Sequence, residues 1–285
     1  MKLPMLGTKL PMLGTGDPVS PTAHYTGYVW ARNGLSHPEL QTIEGRVLFE
    51  TLRPMNTVNS LLGRGNLEQY LLTRHRAIDR LLEQAIAQDG VTQIIEIAAG
   101  LSARGWRFTT RHPELTYIEA DLPDMADRKR RSLARMDGRS SRHRIVELNA
   151  LKESGPGSLP DIAEELDSAQ GLVIITEGLL GYLGSPEVES IWRRNAQVLS
   201  EFSTGRYISD VHLSSLQTIE TRAFRVLLSA FVRGRVHLHF RDPGEVVAAL
   251  REAGFADAEV RPAYAVAGLS SAPGARLAYV LEAAT

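Results

Sequence analysis

Four polar side chains stand at the ends of short apolar runs, where they could bind a ligand. They are Glu96 in "IIEIAAG", Asp121 in "YIEADLP", Asn149 in "VELNAL" and Glu177 in "IITEGLL". A carboxylate inside a buried strand costs several kcal/mol unless a partner satisfies it, so Glu96 either ends its strand or faces such a partner. Carboxylates accept hydrogen bonds from hydroxyl groups and attract cations. The set therefore predicts a ligand that offers both.

The segment "AAGLSARG" after Glu96 predicts a tight turn close to a ligand, because Gly100 can adopt backbone angles that other residues avoid. An acidic residue about 20 positions beyond such a turn is where a pair of ribose hydroxyls is held, and Asp121 occupies that position. Ala98 and Ala103 replace two glycines of the dinucleotide-binding pattern. Glu96 would also repel a pyrophosphate. The residues favour a cationic nucleoside without phosphate over NAD, and S-adenosylmethionine is such a ligand.

Fewer residues are candidates for action on a second substrate. His212, in "SDVHL" just past the fifth apolar run, is the best-placed ionisable residue. A lone histidine more often has a structural role until a partner is shown, and Asp210 could be that partner. Tyr182, after the fourth run, is a second candidate. His237 and His239 share one face of an extended "VHLHF", as zinc ligands can, but no third ligand with suitable spacing accompanies them, so we predict no metal.

Alternating strands and helices are predicted to hold these residues at one edge of a sheet. The run "EQYLLTRHRAIDRLLEQAIAQDG" has the apolar spacing of a helix that ends at Gly90. After it, short apolar runs alternate with helical stretches, as in a parallel sheet covered on both faces. Ligands of such sheets bind beyond the carboxyl ends of the strands. The predicted strands cover residues 93–97, 115–120, 144–148, 172–176, 206–211, 258–261 and 276–282, with a further helix at residues 243–253.

The N-terminal region is predicted to precede the sheet as an arm and a helical cap. Residues 2–15 are two copies of "KLPMLGT", too short for a repeat architecture and too rich in proline and glycine for a helix. The next segment concentrates aromatic residues, which must pack against the protein or a ligand, so Tyr25, Tyr28 and Trp30 are candidates for a lid that binds substrate. We predict an arm at 1–35, a cap at 36–90 and the core at 91–285, within one globular domain.

The composition excludes several classes of protein. The 285 residues carry a formal net charge of −1 and are 43% hydrophobic, which is typical of a globular protein and gives no basic field for nucleic acid. The basic run "RKRR" at residues 128–131 is interpreted as a solvated helix face. Cysteine is absent, which excludes disulfides and thiolate metal sites. No apolar stretch reaches the roughly 18 residues of a membrane span, and we expect a cytoplasmic protein without a membrane partner.

Four segments in order, "LLTRHRAID", "IIEIAAGLSARGWR", "YIEADLPDMADRKRR" and "IITEGLLGYL", resemble successive motifs of the leucine carboxyl methyltransferase family. The bacterial branch of this family includes natural-product O-methyltransferases, such as that of the tetracenomycin pathway. The resemblance implies an α/β fold of the class I S-adenosylmethionine-dependent methyltransferase (Rossmann-like) type with a helical N-terminal cap. It also implies that Arg74 binds the methionine carboxylate of the cofactor, with Arg76 as the neighbouring candidate. Asp121 matches the family's ribose-binding acid, and Glu177 its acid after the fourth strand.

Three positions depart from the family pattern. The glycine turn corresponds to Ala98, Ala99 and Gly100, and Ala98 replaces a glycine, so we expect a negative φ there. Ser102 replaces an aspartate, which predicts that Arg104 lacks that ionic partner. Asn149 stands where the family has an aspartate beside the adenine, and its side-chain oxygen can still accept a hydrogen bond from the adenine amine.

The resemblance implies transfer of a methyl group to an oxygen of a small natural product. A carboxylate acceptor, which gives a methyl ester, is favoured, because it is already ionised at pH 7 and needs no general base, whereas a phenol does. One alternative is a phenol or hydroxyl methyltransferase with His212 as base. Others are a protein C-terminal carboxyl methyltransferase and a non-catalytic nucleoside-binding module.

Overall fold

A seven-stranded sheet forms the centre of the computed structural model, which describes residues 21–61, 65–216, 237–272 and 274–285. Its strand order is β3-β2-β1-β4-β5-β7-β6. Strands β1 to β5 are parallel, and β7 is antiparallel to both of its neighbours. The strands are β1 (Val91–Ile97), β2 (Thr116–Asp121), β3 (His143–Glu147), β4 (Gly171–Thr176), β5 (Thr204–Val211), β6 (Asp257–Pro262) and β7 (Tyr279–Ala284).

Helices cover both faces of this sheet. The helix predicted to end at Gly90 is confirmed. Asn66 caps its N-terminus, because the Asn66 side chain accepts a hydrogen bond from the Gln69 amide at 2.7 Å. Within the described ranges the helices are α1 (Pro21–Arg32), α2 (Ile43–Leu61), α3 (Leu67–Asp89), α4 (Arg104–Arg111), α5 (Pro123–Leu133), α6 (Leu159–Ala163), α7 (Ser185–Leu199), α8 (Pro243–Glu252) and α9 (Ala263–Val266). The tandem "KLPMLGT" repeat lies outside the described residues.

Alternation along the central strands divides the hydrophobic core into two main clusters. Ile94, Val173 and Ile208 join the cluster that also contains apolar residues of α1, α2 and α3. Ile95 and Ile174, one position away on β1 and β4, join the cluster with α6, α7 and α8. Both clusters bury strand residues fully, as expected for a sheet with two covered faces. The N-terminal helices therefore share a core with the sheet.

The strand register aligns four positions at the carboxyl edge of the sheet. Ile97 of β1 is opposite Ala120 of β2 and Thr176 of β4, and Thr176 is opposite Ser209 of β5. The next residue along each strand is Ala98 after Ile97, Asp121 after Ala120, Glu177 after Thr176 and Asp210 after Ser209. From β1 the chain adds β2 and β3 on one side of the sheet and then crosses to add β4 and β5 on the other side. Ligands of such sheets bind at this switch point, between β1 and β4. The fold thus brings the predicted acidic residues to one edge.

Candidate active site

A cavity of about 330 Å³ opens at this edge of the sheet. The volume is in the range of small-molecule and cofactor pockets. One wall comes from the strand ends, and the other from α1, α3 and the turn Leu180–Tyr182. Ten of the twelve predicted site residues line it, namely Tyr25, Trp30, Arg74, Glu96, Ala98, Gly100, Asp121, Glu177, Tyr182 and His212.

Asp121 lies between the turn after β1 and the start of α5. Its Oδ2 accepts a hydrogen bond from the Gly100 amide and its Oδ1 one from the Leu122 amide, both at 2.8 Å. Burial raises the pKa of Asp121, although these two amides act in the opposite direction. Each carboxylate oxygen has a second lone pair for a ligand. Asp121 can therefore hold the turn and accept hydrogen bonds from a pair of hydroxyl groups.

The turn after β1 contains two left-handed positions, one on each side of Ala99. Gly100 has a φ of +52°, and Ala98 has a φ of +56°. The prediction of a negative φ at Ala98 is wrong. A left-handed conformation costs a residue with a Cβ atom about 1–2 kcal/mol. The structure therefore keeps the geometry of a glycine turn at the expense of strain at Ala98.

Arg74 of α3 reaches the ends of β4 and β5. Its Nε donates to Glu177 at 3.0 Å, and its Nη1 donates to Asp210 at 3.3 Å. Asp210 also accepts a hydrogen bond from the Gly178 amide at 2.6 Å. A Cβ atom on Gly178, which has a φ of +70°, would lie 3.2 Å from Nη2 of Arg74. Glycine at position 178 therefore leaves room for the guanidinium in the cavity wall.

Arg104 of α4 lacks an acidic partner at position 102, where serine replaces the family's aspartate, but it pairs with other acidic side chains. It forms a buried ion pair with Glu96 and reaches Asp79 at 2.7 Å and Glu177 at 2.6 Å. The second oxygen of Glu96 accepts a hydrogen bond from the Tyr117 hydroxyl at 2.7 Å. Glu96 thus lies inside β1 and is satisfied by protein groups. Burial raises its pKa, which Arg104 partly offsets.

The Glu177 carboxylate contacts Arg74, Arg104 and His75, and so links the Arg74 and Arg104 interactions. Burial alone would raise its pKa, but His75, Arg104 and Arg74 outweigh that effect and hold the pKa well below its usual range. Because a guanidinium can only donate, Nε2 of His75, 2.8 Å from Arg107, is an acceptor. Nδ1 lies 2.8 Å from an oxygen of Glu177 and also 2.8 Å from Nη2 of Arg104, so this nitrogen faces both a carboxylate and a guanidinium. Burial lowers the pKa of His75, consistent with a neutral ring.

His75, Asp79 and Arg107 are site-supporting residues that the strand-end reasoning missed. They lie on α3 and α4, away from any strand end. The spacing of His75 and Asp79 by four residues, which puts both on one helix face, was the available signal. The Trp30 ring lies 4.5 Å from the His75 ring, measured between centroids. The network therefore extends from the sheet edge to α1.

The second half of the cavity contains an aromatic and histidine pair. The Tyr70 hydroxyl lies 2.6 Å from Nε2 of His212. Asp210, the partner suggested by the sequence, instead bonds Arg74 and Gly178. Tyr182 lines the same cavity and is 42% exposed. Tyr70, which the sequence did not single out, is therefore the residue that contacts the predicted base.

Two predicted site residues lie away from the cavity wall. Asn149 is exposed, and its side-chain oxygen accepts a hydrogen bond from the Leu151 amide at 3.0 Å. Leu122 and Met125 line the cavity near Asp121 instead. Tyr28 packs on Phe49 of α2, with ring centroids 5.3 Å apart. Neither Asn149 nor Tyr28 is among the described residues that line the cavity, so their predicted contacts with adenine and substrate stay predictions.

The interpretation of "RKRR" as a solvated helix face is wrong for Lys129. Its side chain is 1% exposed and its Nζ lies 2.7 Å from Glu119, which His143 also approaches at 3.2 Å. These contacts hold the pKa of Glu119 down at about 2, although burial raises it. Arg130 pairs with Glu147 at 3.4 Å. The run therefore attaches α5 to β2 and β3.

The described part of the chain holds neither a metal cluster nor a membrane-spanning helix. Its residues include no group of three or more histidine, cysteine, aspartate or glutamate side chains arranged to hold a metal ion. His239 instead bonds the Ser185 hydroxyl and the Leu180 carbonyl, both at 3.1 Å. None of the described helices combines the length and apolar character needed to cross a bilayer.

The chain belongs to the leucine carboxyl methyltransferase family, whose model matches residues 39–196. A putative S-adenosyl-L-methionine-dependent methyltransferase of Mycolicibacterium gilvum is 35% identical over 125 residues, which are 44% of this chain and 39% of that protein. One of the same description from Mycobacterium marinum is 28% identical over 202 residues, 67% of this chain and 60% of the relative. The matches thus span less than two thirds of these relatives. Their descriptions agree with the predicted cofactor.

Solved structures confirm the predicted fold class. A putative methyltransferase from Thermobifida fusca has a TM-score of 0.67 at 13% identity, with 97% of this chain and 98% of that chain covered. A protein of family DUF574 from Streptomyces avermitilis has a TM-score of 0.64 at 10% identity, with 94% and 98% covered. Together with the strand order, these likenesses establish the class I methyltransferase-like, Rossmann-like α/β fold.

Proposed function

We propose that this protein is an S-adenosylmethionine-dependent methyltransferase that methylates an oxygen of a small acceptor. The observation that carries the proposal is the cavity at the sheet edge, which is lined both by Asp121 with its Gly100 turn and by Arg74. The family and the descriptions of the relatives support the same cofactor. When bound, S-adenosylmethionine supplies a methyl group on a cationic sulfur.

The residues of the cavity fit this cofactor by their chemistry. Asp121 offers carboxylate oxygens for the ribose hydroxyls, and Gly100 lets the backbone come close to them. Arg74 offers a guanidinium for the methionine carboxylate, a pairing that is stronger than a neutral hydrogen bond. Glu177 and Asp210 fix that guanidinium in place. The carboxylates around the cavity also attract a cationic ligand.

Catalysis in this site rests on positioning and exclusion of water. Methyl transfer is an in-line displacement that needs the acceptor oxygen held against the methyl carbon, and such orientation can supply several kcal/mol. The buried side chains of Tyr25, Trp30 and Tyr70 enclose the space next to Arg74. We therefore assign this aromatic part of the cavity to the acceptor.

Two acceptor classes are compatible with this assignment. The family description favours a carboxylate, which gives a methyl ester. The contact between Tyr70 and His212 favours a hydroxyl group, which has to lose a proton. Both reactions transfer the methyl group to oxygen.

The proposal is tested by cofactor binding and by transfer of a radiolabelled methyl group. Arg74→Ala should weaken S-adenosylmethionine binding by about 1.5–3 kcal/mol, the range for a lost hydrogen bond to a charged group. Arg76→Ala is the matched control, because Arg76 does not line the cavity, and it should bind like the wild-type protein. Calorimetry gives both affinities. Wild-type protein that binds no S-adenosylmethionine, or an effect confined to Arg76→Ala, would contradict the proposal.

A further inference from the structure

The acceptor part of the cavity contains a hydrogen-bonded pair that could take up a proton. The Tyr70 hydroxyl and Nε2 of His212 are 2.6 Å apart, and both residues line the cavity. Tyr70 is 2% exposed, so the contact is shielded from bulk water. A short contact between a hydroxyl and an imidazole nitrogen is the arrangement through which a proton can move.

The surroundings keep both groups in the forms that proton uptake needs. Burial raises the pKa of the Tyr70 hydroxyl, so it keeps its proton. Burial lowers the pKa of His212, and Arg74 and His239 act in the same direction while Asp210 opposes them. In the tautomer that carries hydrogen on Nδ1, neutral His212 can accept a proton at Nε2, and the neutral Tyr70 hydroxyl can donate one. The pair is thus a base at neutral pH.

The charges in the cavity favour a neutral acceptor. Among the described residues that line it, Arg74 is the one with a cationic side chain, and Glu177 and Asp210 already bond it. The methionine carboxylate of the cofactor would occupy the same guanidinium under the proposed function. A carboxylate acceptor would add another negative charge beside these groups, and among the described lining residues it would find no second cationic side chain, which leaves the cationic groups of the cofactor to offset it. A neutral hydroxyl group carries no such cost.

We propose that the acceptor is a hydroxyl compound such as a phenol or an enol, and that Tyr70 and His212 take up its proton. The inference rests on the proposed function. As the C–O bond forms and the C–S bond breaks, the acceptor proton passes to the Tyr70 oxygen and the Tyr70 proton passes to Nε2 of His212. The sulfonium becomes a thioether, and the imidazolium later releases its proton to water.

The experiment compares Tyr70→Phe and His212→Ala with wild-type protein on three probes: phenol, 4-nitrophenol and benzoate. Labelled methyl from S-adenosylmethionine should reach the phenols, and the products should resist mild alkali, as ethers do. Both substitutions should lower kcat on phenol about a hundredfold or more, the usual contribution of a general base. On 4-nitrophenol, which ionises far more readily, the loss should fall below about tenfold.

The pH dependence separates proton transfer from a structural effect. Wild-type kcat on phenol should be flat above neutral pH, because His212 is already unprotonated. For His212→Ala, kcat should rise about tenfold per pH unit toward the phenol pKa near 10. Tyr264→Phe and His112→Ala are matched controls outside the cavity and should behave like the wild type. Calorimetry with S-adenosylhomocysteine should give equal affinity for all variants, and His212→Asn replaces His212→Ala if that variant does not fold.

The outcomes distinguish the two proposals. Protein that binds the cofactor and methylates benzoate but no phenol would overturn the hydroxyl inference and leave the proposed function intact. Phenol methylation that falls less than about tenfold in both variants would overturn the roles of Tyr70 and His212. Failure of the wild-type protein to bind S-adenosylmethionine would overturn the proposed function itself.

Discussion

Ala98 combines two requirements at one residue. Ala98 directly follows β1, and its φ of +56° turns the chain two residues before the Gly100 amide, which donates to Asp121. Strained backbone persists where the surrounding structure determines it, and it concentrates at functional sites. The neighbouring strand ends fix the turn on both sides through β2 and β4. The strain at Ala98 therefore accompanies the positioning of Asp121.

Ala98→Gly should stabilise the protein. Glycine removes the left-handed cost of about 1–2 kcal/mol, and its greater freedom in the unfolded chain returns about 0.5–1 kcal/mol. Denaturant unfolding should therefore show a net gain of up to about 1.5 kcal/mol. Ala99→Gly is the control, because Ala99 has no positive φ and should lose stability. Equal losses in both variants would show that Ala98 is unstrained.

The strand-end pattern predicted Gly100, Asp121 and Glu177, and the family resemblance added Arg74 of α3, but neither singled out Tyr70 or His75 on the same helix. Gly100, Asp121 and Glu177 stand out because a polar or flexible residue directly after an apolar run seldom has a packing role. Tyr70 and His75 are embedded in the periodic pattern of α3, where a buried polar residue looks like a packing residue. Their roles depend on partners more than 70 positions away, which periodicity does not reveal.

α1 is packed into the hydrophobic core of the protein. Tyr25 and Val29 are fully buried in the cluster that contains the central strands, and the Asn56 side chain of α2 donates to the Tyr25 hydroxyl at 3.1 Å. The sequence predicts an arm and lid here, because aromatic residues near a terminus can serve either purpose. The packing favours the structural purpose for Tyr25, which also lines the cavity.

Deleting residues 1–31 should therefore destabilise the fold, whereas the lid interpretation expects a folded protein with little activity. Tyr25→Ala alone should lower the free energy of unfolding by about 3–5 kcal/mol, as for other large buried aromatic residues. Tyr28→Ala should cost less, because Tyr28 is partly buried. Chemical denaturation followed by circular dichroism measures both. A truncated protein with unchanged stability would return α1 to the role of a lid.

The positions of β1, β2, β4 and β5 were predictable because their apolar runs coincide with buried strands. The last strand begins at Tyr279 and not at the predicted residue 276, because Ala275–Leu277 forms a 3-10 turn. The direction of β7 was not predictable. The sequence favours a parallel sheet throughout, yet β7 lies antiparallel between β5 and β6. An apolar run fixes that a segment is a strand, while its direction depends on how the preceding segment crosses the sheet. Here α9 and a 3-10 turn at Ala275–Leu277 return the chain to the sheet.

Over the whole molecule, buried carboxylates make stability depend on pH. Burial raises the pKa of Glu119 and of Asp79, but nearby cationic and histidine side chains outweigh it and hold both values at about 2. Both values lie below those of the unfolded chain, near 4. The stabilisation is therefore complete above the unfolded pKa and lost as pH falls toward 2. Glu96, whose pKa is raised, acts in the opposite sense.

The free energy of unfolding should fall between about pH 5 and pH 2, because the unfolded state binds more protons there. Glu119→Gln should unfold with a shallower dependence on pH in this window, even though it is less stable overall. Glu114→Gln, at a side chain that is 59% exposed, should keep the wild-type slope. Urea unfolding at several pH values measures the slopes. Identical slopes in wild type and Glu119→Gln would show that Glu119 does not contribute.

Binding of S-adenosylhomocysteine, measured by titration calorimetry, tests most directly whether the sheet edge is a cofactor site. The wild-type protein should bind one molecule per chain, and Asp121→Ala should weaken binding by about 1.5–3 kcal/mol through the lost ribose contacts. Asp124→Ala, an exposed acid in the first turn of α5, should bind like the wild type. Absence of binding to the wild-type protein, or equal affinities for wild type and Asp121→Ala, would contradict the assignment of this cavity.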